Sequence, residues 1–487
     1  MRFEGAPRFA RRAYLLDVSR CRVPRRDTLH WLVEVLGRLG INELQLYVEH
    51  TFAYAGHDVV WRDASPLTVD DLRWLRDRAA EVDIELVANL NCFGHMERWL
   101  VHDEYRNRAE CPDGHRLFPG SRPSPPTCLA ATAENADFAV GLVREMLDAV
   151  GGSRVMIGGD EPFELGLGRS QAETERIGRD AVYRSHLARI AAPLVADGID
   201  VMIWGDQFRR DPAAVEDLPD GVVVVPWNYE APGNGWAASL PESTVEALGL
   251  PDGDERGAIA HVEAVASSGR PFWVAAGTGT WTTLIGRNAN AAANLADTAA
   301  VGAELGADGF LVCDWGDLGH HQPLAVSLPS LVRGAAAAWS GEQLDVGPIV
   351  DDLLDAAAGT GALIDELGHL GEGLGASTAN STPLGAAVLP VPFPTSGVVD
   401  PDLVAAVAVR LDEVAGTWAD RLPTDGRGSI VAQELEAICG IARLAIARLA
   451  GKEVSPVDLD AARERQRAAW LKSSRPGGLD ESLGYLR

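Results

Sequence analysis

The sequence has no Cys-x-x-Cys pair, no apolar run that reaches the length of a membrane span, and no phosphate-cradling glycine loop in a strand-to-helix setting. Each absence removes a class of protein. The six cysteines, Cys21, Cys92, Cys111, Cys128, Cys313 and Cys439, are too scattered for a disulfide framework and read as free thiols of a reducing compartment. Three of them share residues 91–128 with His95, His102 and His115, but without the spacing of a zinc site, so no metal and no other cofactor is expected. Residues 1–20 lack the apolar core of a signal peptide, which makes a cytoplasmic location the expectation. The run GTGTW at Gly277 is too aromatic to argue for a nucleotide. Positive charge is scarce as well: 43 Lys and Arg face 70 Asp and Glu, for a formal net charge of −27. Such a field repels phosphate backbones and anionic lipid, so neither nucleic acid nor a membrane is an expected partner.

What the chain does hold is an alternation of short apolar runs with amphipathic stretches. At 487 residues it exceeds what one core usually serves, so a large domain with a smaller companion is expected. The runs AYLLDVSR from 13, NELQLYVEH from 42 and IELVANLNCFGH from 84 all end in polar residues. Between the first two, Leu29, Leu32, Val33, Leu36 and Leu39 fall on one helical face behind Asp27; Thr68 with Asp71 opens the next helix as a capping box. A long connection to about residue 130 and a helix over 132–150 lead to a fourth run at 155. DVMIWGDQ at 200, VVVVPWNYE at 222, PFWVAAGTGTW at 271 and DGFLVCDWGDLGHHQ at 308 complete eight. Eight such strands, most followed by a helix, predict an α/β fold, a (β/α)8 TIM barrel over residues 1–341. Residues 342–487, rich in Ala, Leu, Asp and Glu with helical periodicity, read as a mainly helical C-terminal region. It carries no catalytic constellation, so scaffold or subunit contact, a homodimer included, is its expected role.

Polar residues gather where the predicted strands end: Asp17 and Arg20, Glu49 and His50, Asn91 and His95, Trp204 and Asp206, Trp227 to Glu230, and Asp314 to Asp317. In a barrel these ends converge on one face, where such enzymes place their sites. The fourth run, VMIGGDEPFELG over 155–166, delivers the adjacent acids Asp160 and Glu161 there. Like charges that close disfavour joint ionisation, so one of the two is expected to keep its proton, as a general acid must. Thirteen tryptophans against seven tyrosines is a skewed ratio, and Trp204, Trp227, Trp281 and Trp315 all follow barrel strands. Indole faces stack on pyranose rings while carboxylates, His and Arg hydrogen-bond hydroxyls, which points to a carbohydrate substrate.

The run GGDE at 158–161, with LDVSR at 16–20 and the Gly94-His95 pair after the third strand, resembles the β-N-acetylhexosaminidases of glycoside hydrolase family 20 over roughly residues 12–340. The resemblance implies an exo-acting retaining hydrolase of terminal N-acetyl-β-hexosamine that works by substrate assistance, outside the two-carboxylate rule. Carried over, Glu161 protonates the leaving oxygen and later activates water, and Asp160 orients the 2-acetamido group and stabilises its charge. Arg20, with Glu49, grips hydroxyls of the terminal sugar, and His95 supports the acid. Tyr229 holds the acetamido oxygen; Trp204, Trp227, Trp281 and Trp315 wall the sugar, with Asp314 among the binding residues. Family members commonly carry an α/β domain before the barrel and Asp where this chain has Glu49, which marks a divergent branch.

Other readings stay open at this point. A retaining β-glycosidase acting on non-acetylated sugars would need a second carboxylate, Glu230 or Asp314, roughly 5 Å from the acid. A sugar-binding barrel without turnover and a metal-dependent hydrolase are the remaining alternatives. The adjacent His320 and His321 diverge too much to share one metal and are expected at the pocket rim.

Overall fold

Parallel β-strands need crossover helices, and the alternating runs supply both. The computed structural model describes residues 4–116, 123–209, 212–234, 245 and 254–487. Strands β1 (Arg11–Asp17), β2 (Glu43–Val48), β3 (Glu85–Leu90), β4 (Arg154–Met156), β5 (Asp200–Trp204), β6 (Val223–Val225), β7 (Trp273–Gly277) and β8 (Gly309–Asp314) form one parallel sheet, β8 pairing back with β1. The seam between β6 and β7 is held by bridges Val224–Phe272 and Trp227–Ala275, with Ala275 N–H donating to Pro226 O at 3.0 Å. The ring is therefore the expected TIM barrel.

Helices α1 (Arg26–Arg38), α2 (Val69–Ala80), α3 (Ala133–Val150) and α4 (Arg179–Ala196) follow β1 to β4. The capping box at Thr68 and Asp71 is present, each side chain bonding the other's backbone N–H. Among the described residues after β5, only 3-10 turns, Asp206–Phe208 and Pro212–Asp217, lead to β6, because a short Pro- and Asp-punctuated segment does not complete an α-helix. The helical reading between β6 and β7 falls partly on residues 235–253, which apart from 245 lie outside the described residues; α5 (Ala258–Ser267) follows them. Helices α6 (Asn288–Leu305) and α7 (Leu324–Trp339) complete the outer layer.

The polar and aromatic residues that follow the strands all leave from the same, C-terminal end of the ring. The period of two sorts the rest: Glu43, Gln45 and Tyr47 of β2 lie on the inner side, while Leu44, Leu46 and Val48 pack outward on the helices. At the barrel floor Gln45 donates to Glu43 at 2.7 Å, Asn89 donates to Gln45 at 2.7 Å, and Arg154 reaches Glu43 at 3.0 Å. Above them Leu15, Met156, Met202, Trp204, Trp273 and Leu311 fill the centre.

The chain beyond 341 continues with α8 (Val346–Leu353), α9 (Thr360–Leu370), a short antiparallel pair β9 (Ala376–Thr378) and β10 (Thr395–Gly397) enclosing α10 (Pro383–Val388), then α11 (Pro401–Ala415), α12 (Gly426–Leu449), α13 (Pro456–Ser473) and α14 (Leu479–Tyr485). None of the described helices is long and apolar enough to cross a membrane. Arg22 after β1 is buried against Glu434 of α12 at 2.6 Å, and Arg333 of α7 grips Asp365 of α9 through two bonds of 2.7 and 2.8 Å. Helix α7 is covered along 13 of its 16 residues, by the barrel and by the later helices together. A chain ended at residue 341 strips one of those covers and leaves Arg22 without its acid. It is expected to be insoluble or to lose cooperative urea unfolding, whereas the full chain should unfold in a single transition followed by tryptophan fluorescence.

Candidate active site

The acids owe their position to two glycines. Gly158, φ +76°, turns the chain out of β4 into a left-handed conformation, and a side chain there would overlap the Asn91 carboxamide. Gly94 lies against the carbonyl of Asp160, where even a methyl group would collide. The exits of β3 and β4 are thereby pressed together. Asn91 accepts the N–H groups of Phe93 and Gly94 at 3.2 and 3.3 Å, which aims its NH2 at Asp160 Oδ1, 2.6 Å away, and at His95 Nδ1, 3.0 Å away. Glu161 is itself left-handed, φ +49°, and its N–H donates to the buried Asp206 at 3.1 Å.

His95 stands between the two acids, Nδ1 at 3.7 Å from Asp160 and Nε2 at 3.6 Å from Glu161, ion-pair distances rather than tight hydrogen bonds. Burial opposes charge on the imidazole, yet the two carboxylates raise its pKa to about 9. Burial pushes the Asp160 carboxyl up to about 6, with Asp206 and Glu161 adding and His95 opposing. Burial also raises Glu161, but the contact with His95 and the charges of Arg20 and Arg209 outweigh it and hold that acid below its ordinary value. The expected split is thus reversed: these shifts favour the proton on His95 and an ionised Glu161, the acid that the family resemblance implies. The donor atoms of His95, Asp160 and Glu161 lie within 4.8 Å of one another, close enough for a divalent cation. A protonated imidazole opposes such ligation.

Arg20 is clamped by Asp17 at 3.0 Å and Glu49 at 3.3 Å and approaches Asp317 at 4.0 Å, its guanidinium lying over the rings of Tyr47 and Trp315. Around it the aromatics interlock. Trp227 stacks on Tyr229 at 5.0 Å and 17°, Tyr229 meets Trp281 edge-on at 5.2 Å, and Trp204 lies 6.0 Å from Trp315. The Tyr229 phenol is turned toward Cys313 and Trp315. Arg20, His95, Asp160, Glu161, Trp204, Trp227, Tyr229, Trp281 and Trp315 all line one cavity of about 290 Å³ at the C-terminal face of the barrel.

Two predicted residues lie elsewhere. Glu49 lines an adjoining cavity of about 320 Å³ that shares Arg20, His95 and Glu161 with the first. Asp314 is not in the pocket: it is fully buried behind it, accepting from Tyr14 at 2.7 Å and from Thr278 and Thr280 at 2.8 Å each. Strand parity explains this, since Leu311, Cys313 and Trp315 take the inner side of β8 and Asp314 must face the helices. Asp317, beyond the strand, lines the pocket instead. His320 and His321 are buried among the helices, not on a rim, and burial pushes their pKa values down to about 3 and about 4. Sequence reasoning also missed Asn380 and the run Val391, Pro392 and Phe393, which the C-terminal region contributes to the cavity wall.

No family model matches the chain. Human hexosaminidase D is 26% identical over 240 residues, 47% of this chain and 46% of that protein. Bovine hexosaminidase D is 23% identical over 202 residues, 40% and 56% of the two chains. The chain thus matches about half the length of these curated relatives. Among solved structures, the chitobiase FjGH20 of Flavobacterium johnsoniae superposes with a TM-score of 0.54 at 14% identity, covering 96% of this chain and 78% of that one. The β-N-acetylhexosaminidase of Bacteroides fragilis NCTC 9343 gives 0.52 at 15% identity over 72% and 70%. At such identities the structural likeness is one of fold, and it agrees with the family 20 resemblance carried by the GGDE run.

The positions of Asp314 and Asp317 make opposite predictions. Asp314→Ala removes the acceptor shared by three buried hydroxyls, the only one for Tyr14 among the described residues, and is expected to cost about 3 kcal/mol in urea unfolding. Asp317→Ala, at a half-exposed side chain, should leave stability within about 0.5 kcal/mol in the same measurement.

Proposed function

We propose that the chain is a retaining exo-glycosidase that removes terminal N-acetyl-β-hexosamine residues by substrate-assisted catalysis. The observation that carries this reading is the placement of the carboxylates. Asp160 and Glu161 share one imidazole and so stand on the same side of the cavity, whereas a two-carboxylate retaining mechanism needs a nucleophile across the sugar ring from the acid. The candidates for that role are committed elsewhere: Asp314 to buried hydroxyls, and Glu230 to Arg287 and the Asn380 N–H. Asp317, the remaining acid of the lining, faces Arg20. The nucleophile then comes from the substrate.

In this mechanism the acetamido oxygen attacks C1 as the glycosidic C1–O bond breaks, and Glu161 gives its proton to the departing oxygen. Asp160, ionised, accepts the acetamido N–H and stabilises the positive charge of the oxazolinium-type intermediate. Water then adds to C1 as the bond from C1 to the acetamido oxygen breaks and the acetamido group is restored, while Glu161 takes the water's proton and is again the acid. Glu161 receives its first proton from His95 when the sugar fills the cavity: its side chain is 36% exposed, and a sugar that excludes water from it disfavours the carboxylate. Arg20 and Asp317 hold hydroxyls at the far end of the sugar, Tyr229 the acetamido oxygen, and the four indoles the ring faces.

Glu161→Gln is expected to lower kcat on an aryl N-acetyl-β-glucosaminide or galactosaminide by about 10³-fold, and Asp160→Asn by about 10²-fold or more. Retention of the wild-type rate by either variant rules the mechanism out.

The pH profile of kcat/KM should be a bell. Activity rises as Asp160 loses its proton near 6 and falls as His95 loses its own near 9. In His95→Asn the group that holds Glu161 down is gone, so its pKa rises under burial and the alkaline limb moves to lower pH. An alkaline limb unmoved in that variant removes His95 from the proton path.

A further inference from the structure

Asn380 reaches the cavity from outside the barrel. It follows β9, sits in a left-handed conformation at φ +50°, and is fixed only through its backbone: its N–H donates to Glu230 Oε1 at 2.9 Å and its carbonyl accepts from the Thr282 hydroxyl. Ser381 adds a bond to the Thr282 carbonyl at 2.7 Å. Glu230 is in turn held by buried Arg287, at the start of α6. The Asn380 carboxamide, by contrast, has no hydrogen-bond partner among the described residues, and it forms part of the cavity wall beside Thr282. A strained non-glycine residue pinned by its main chain, with its polar side chain left over, is the geometry of a group held for a ligand.

Its position around the ring selects which part of the ligand. The acids come from β4; Arg20 follows β1 and Asp317 follows β8, on the opposite side of an eight-stranded barrel. Asn380 enters where the β7 exit, through Thr282, meets the β6 loop, through Glu230, in the cavity that Arg20 and Asp317 also line and away from the β4 exit. A carboxamide offers both an acceptor and donors, which matches a hydroxyl and carries no charge preference. On the glycosidase reading proposed above, we infer that Asn380 is a specificity-determining residue that reads a hydroxyl at the non-reducing end of the terminal sugar, with Glu230 and Arg287 as the positioning pair that holds it there. The C-terminal region then helps decide which epimer the barrel accepts.

The experiment compares wild type with Asn380→Ala and Glu230→Gln on nitrophenyl N-acetyl-β-glucosaminide and nitrophenyl N-acetyl-β-galactosaminide. In parallel, tryptophan quenching by free N-acetylglucosamine and N-acetylgalactosamine gives their affinities without turnover. Asn380→Ala should change the ratio of kcat/KM between the two epimers by about tenfold, the worth of one neutral hydrogen bond, acting through KM with kcat nearly kept. Glu230→Gln should shift the ratio in the same direction with unchanged far-ultraviolet dichroism. A merely structural role lowers both substrates equally, so an Asn380→Ala ratio within twofold of wild type overturns the inference. Should the wild type cleave neither glycoside, the glycosidase reading fails separately. The ratio of the two sugar affinities then decides: a shift in Asn380→Ala upholds hydroxyl reading, and an unshifted ratio, or no sugar binding by wild type, overturns it.

Discussion

The carboxamide of Asn91 joins the two loops on which the site is built. Its oxygen is taken by the backbone just after β3 and its nitrogen by Asp160 and His95, so neither acid nor imidazole can turn without breaking a buried bond. That lock is available only because Gly94 lets the β3 exit lie against the Asp160 carbonyl and Gly158 makes room for the amide itself. The same amide sets the imidazole's position, with Nδ1 3.0 Å from the carboxamide nitrogen and Nε2 turned toward Glu161.

Around this lock, carboxylates outnumber cations. Asp17, Glu49, Asp160, Glu161 and Asp317 surround Arg20 and His95 in a setting walled by indoles. Such an excess is costly when the cavity is empty, and the raised pKa of His95 is one way the site lessens it. It turns favourable when positive charge appears in the cavity, as at the anomeric carbon of a glycoside in its transition state. The local field therefore suits bond breaking at an acetal better than reactions that build up negative charge.

The barrel was legible because eight short apolar runs recur, most of them followed by a helical stripe, and the acids were legible because adjacent Asp and Glu after two glycines are hard to place anywhere but a strand exit. Asp314 was misplaced for a reason the sequence itself contained: if Trp315 faces the cavity, strand parity turns its neighbour away. Asp317, three residues on and past the strand, was the acid to choose. The reversed proton location was not legible, because it depends on how far His95 stands from each carboxylate and on how deeply each is buried. Nor was Asn380, since no pattern in a Pro- and Gly-rich segment tells which barrel strand it will meet.

The C-terminal region is more than a cover. Glu372, just past α9, accepts the N–H groups of Ala289 and Asn290 at 2.8 Å each, closing the exposed start of α6 where a carboxylate is most favourable. From that helix Asn290 donates to the Tyr229 carbonyl at 2.8 Å and Asn294 to the Asn228 carbonyl at 2.9 Å, so the loop carrying the Trp227–Tyr229 stack hangs on a helix whose first turn the C-terminal region completes. Glu230, one residue beyond Tyr229, meets Asn380 directly. Two routes thus run from the C-terminal region to one aromatic wall, one through the start of α6 and one through the Asn380–Glu230 hydrogen bond. A disturbance of the C-terminal packing should reach the cavity first at β6 and β7, the side of the Trp227–Tyr229 stack, and last at β4, where the Asn91 lock keeps the acids in place.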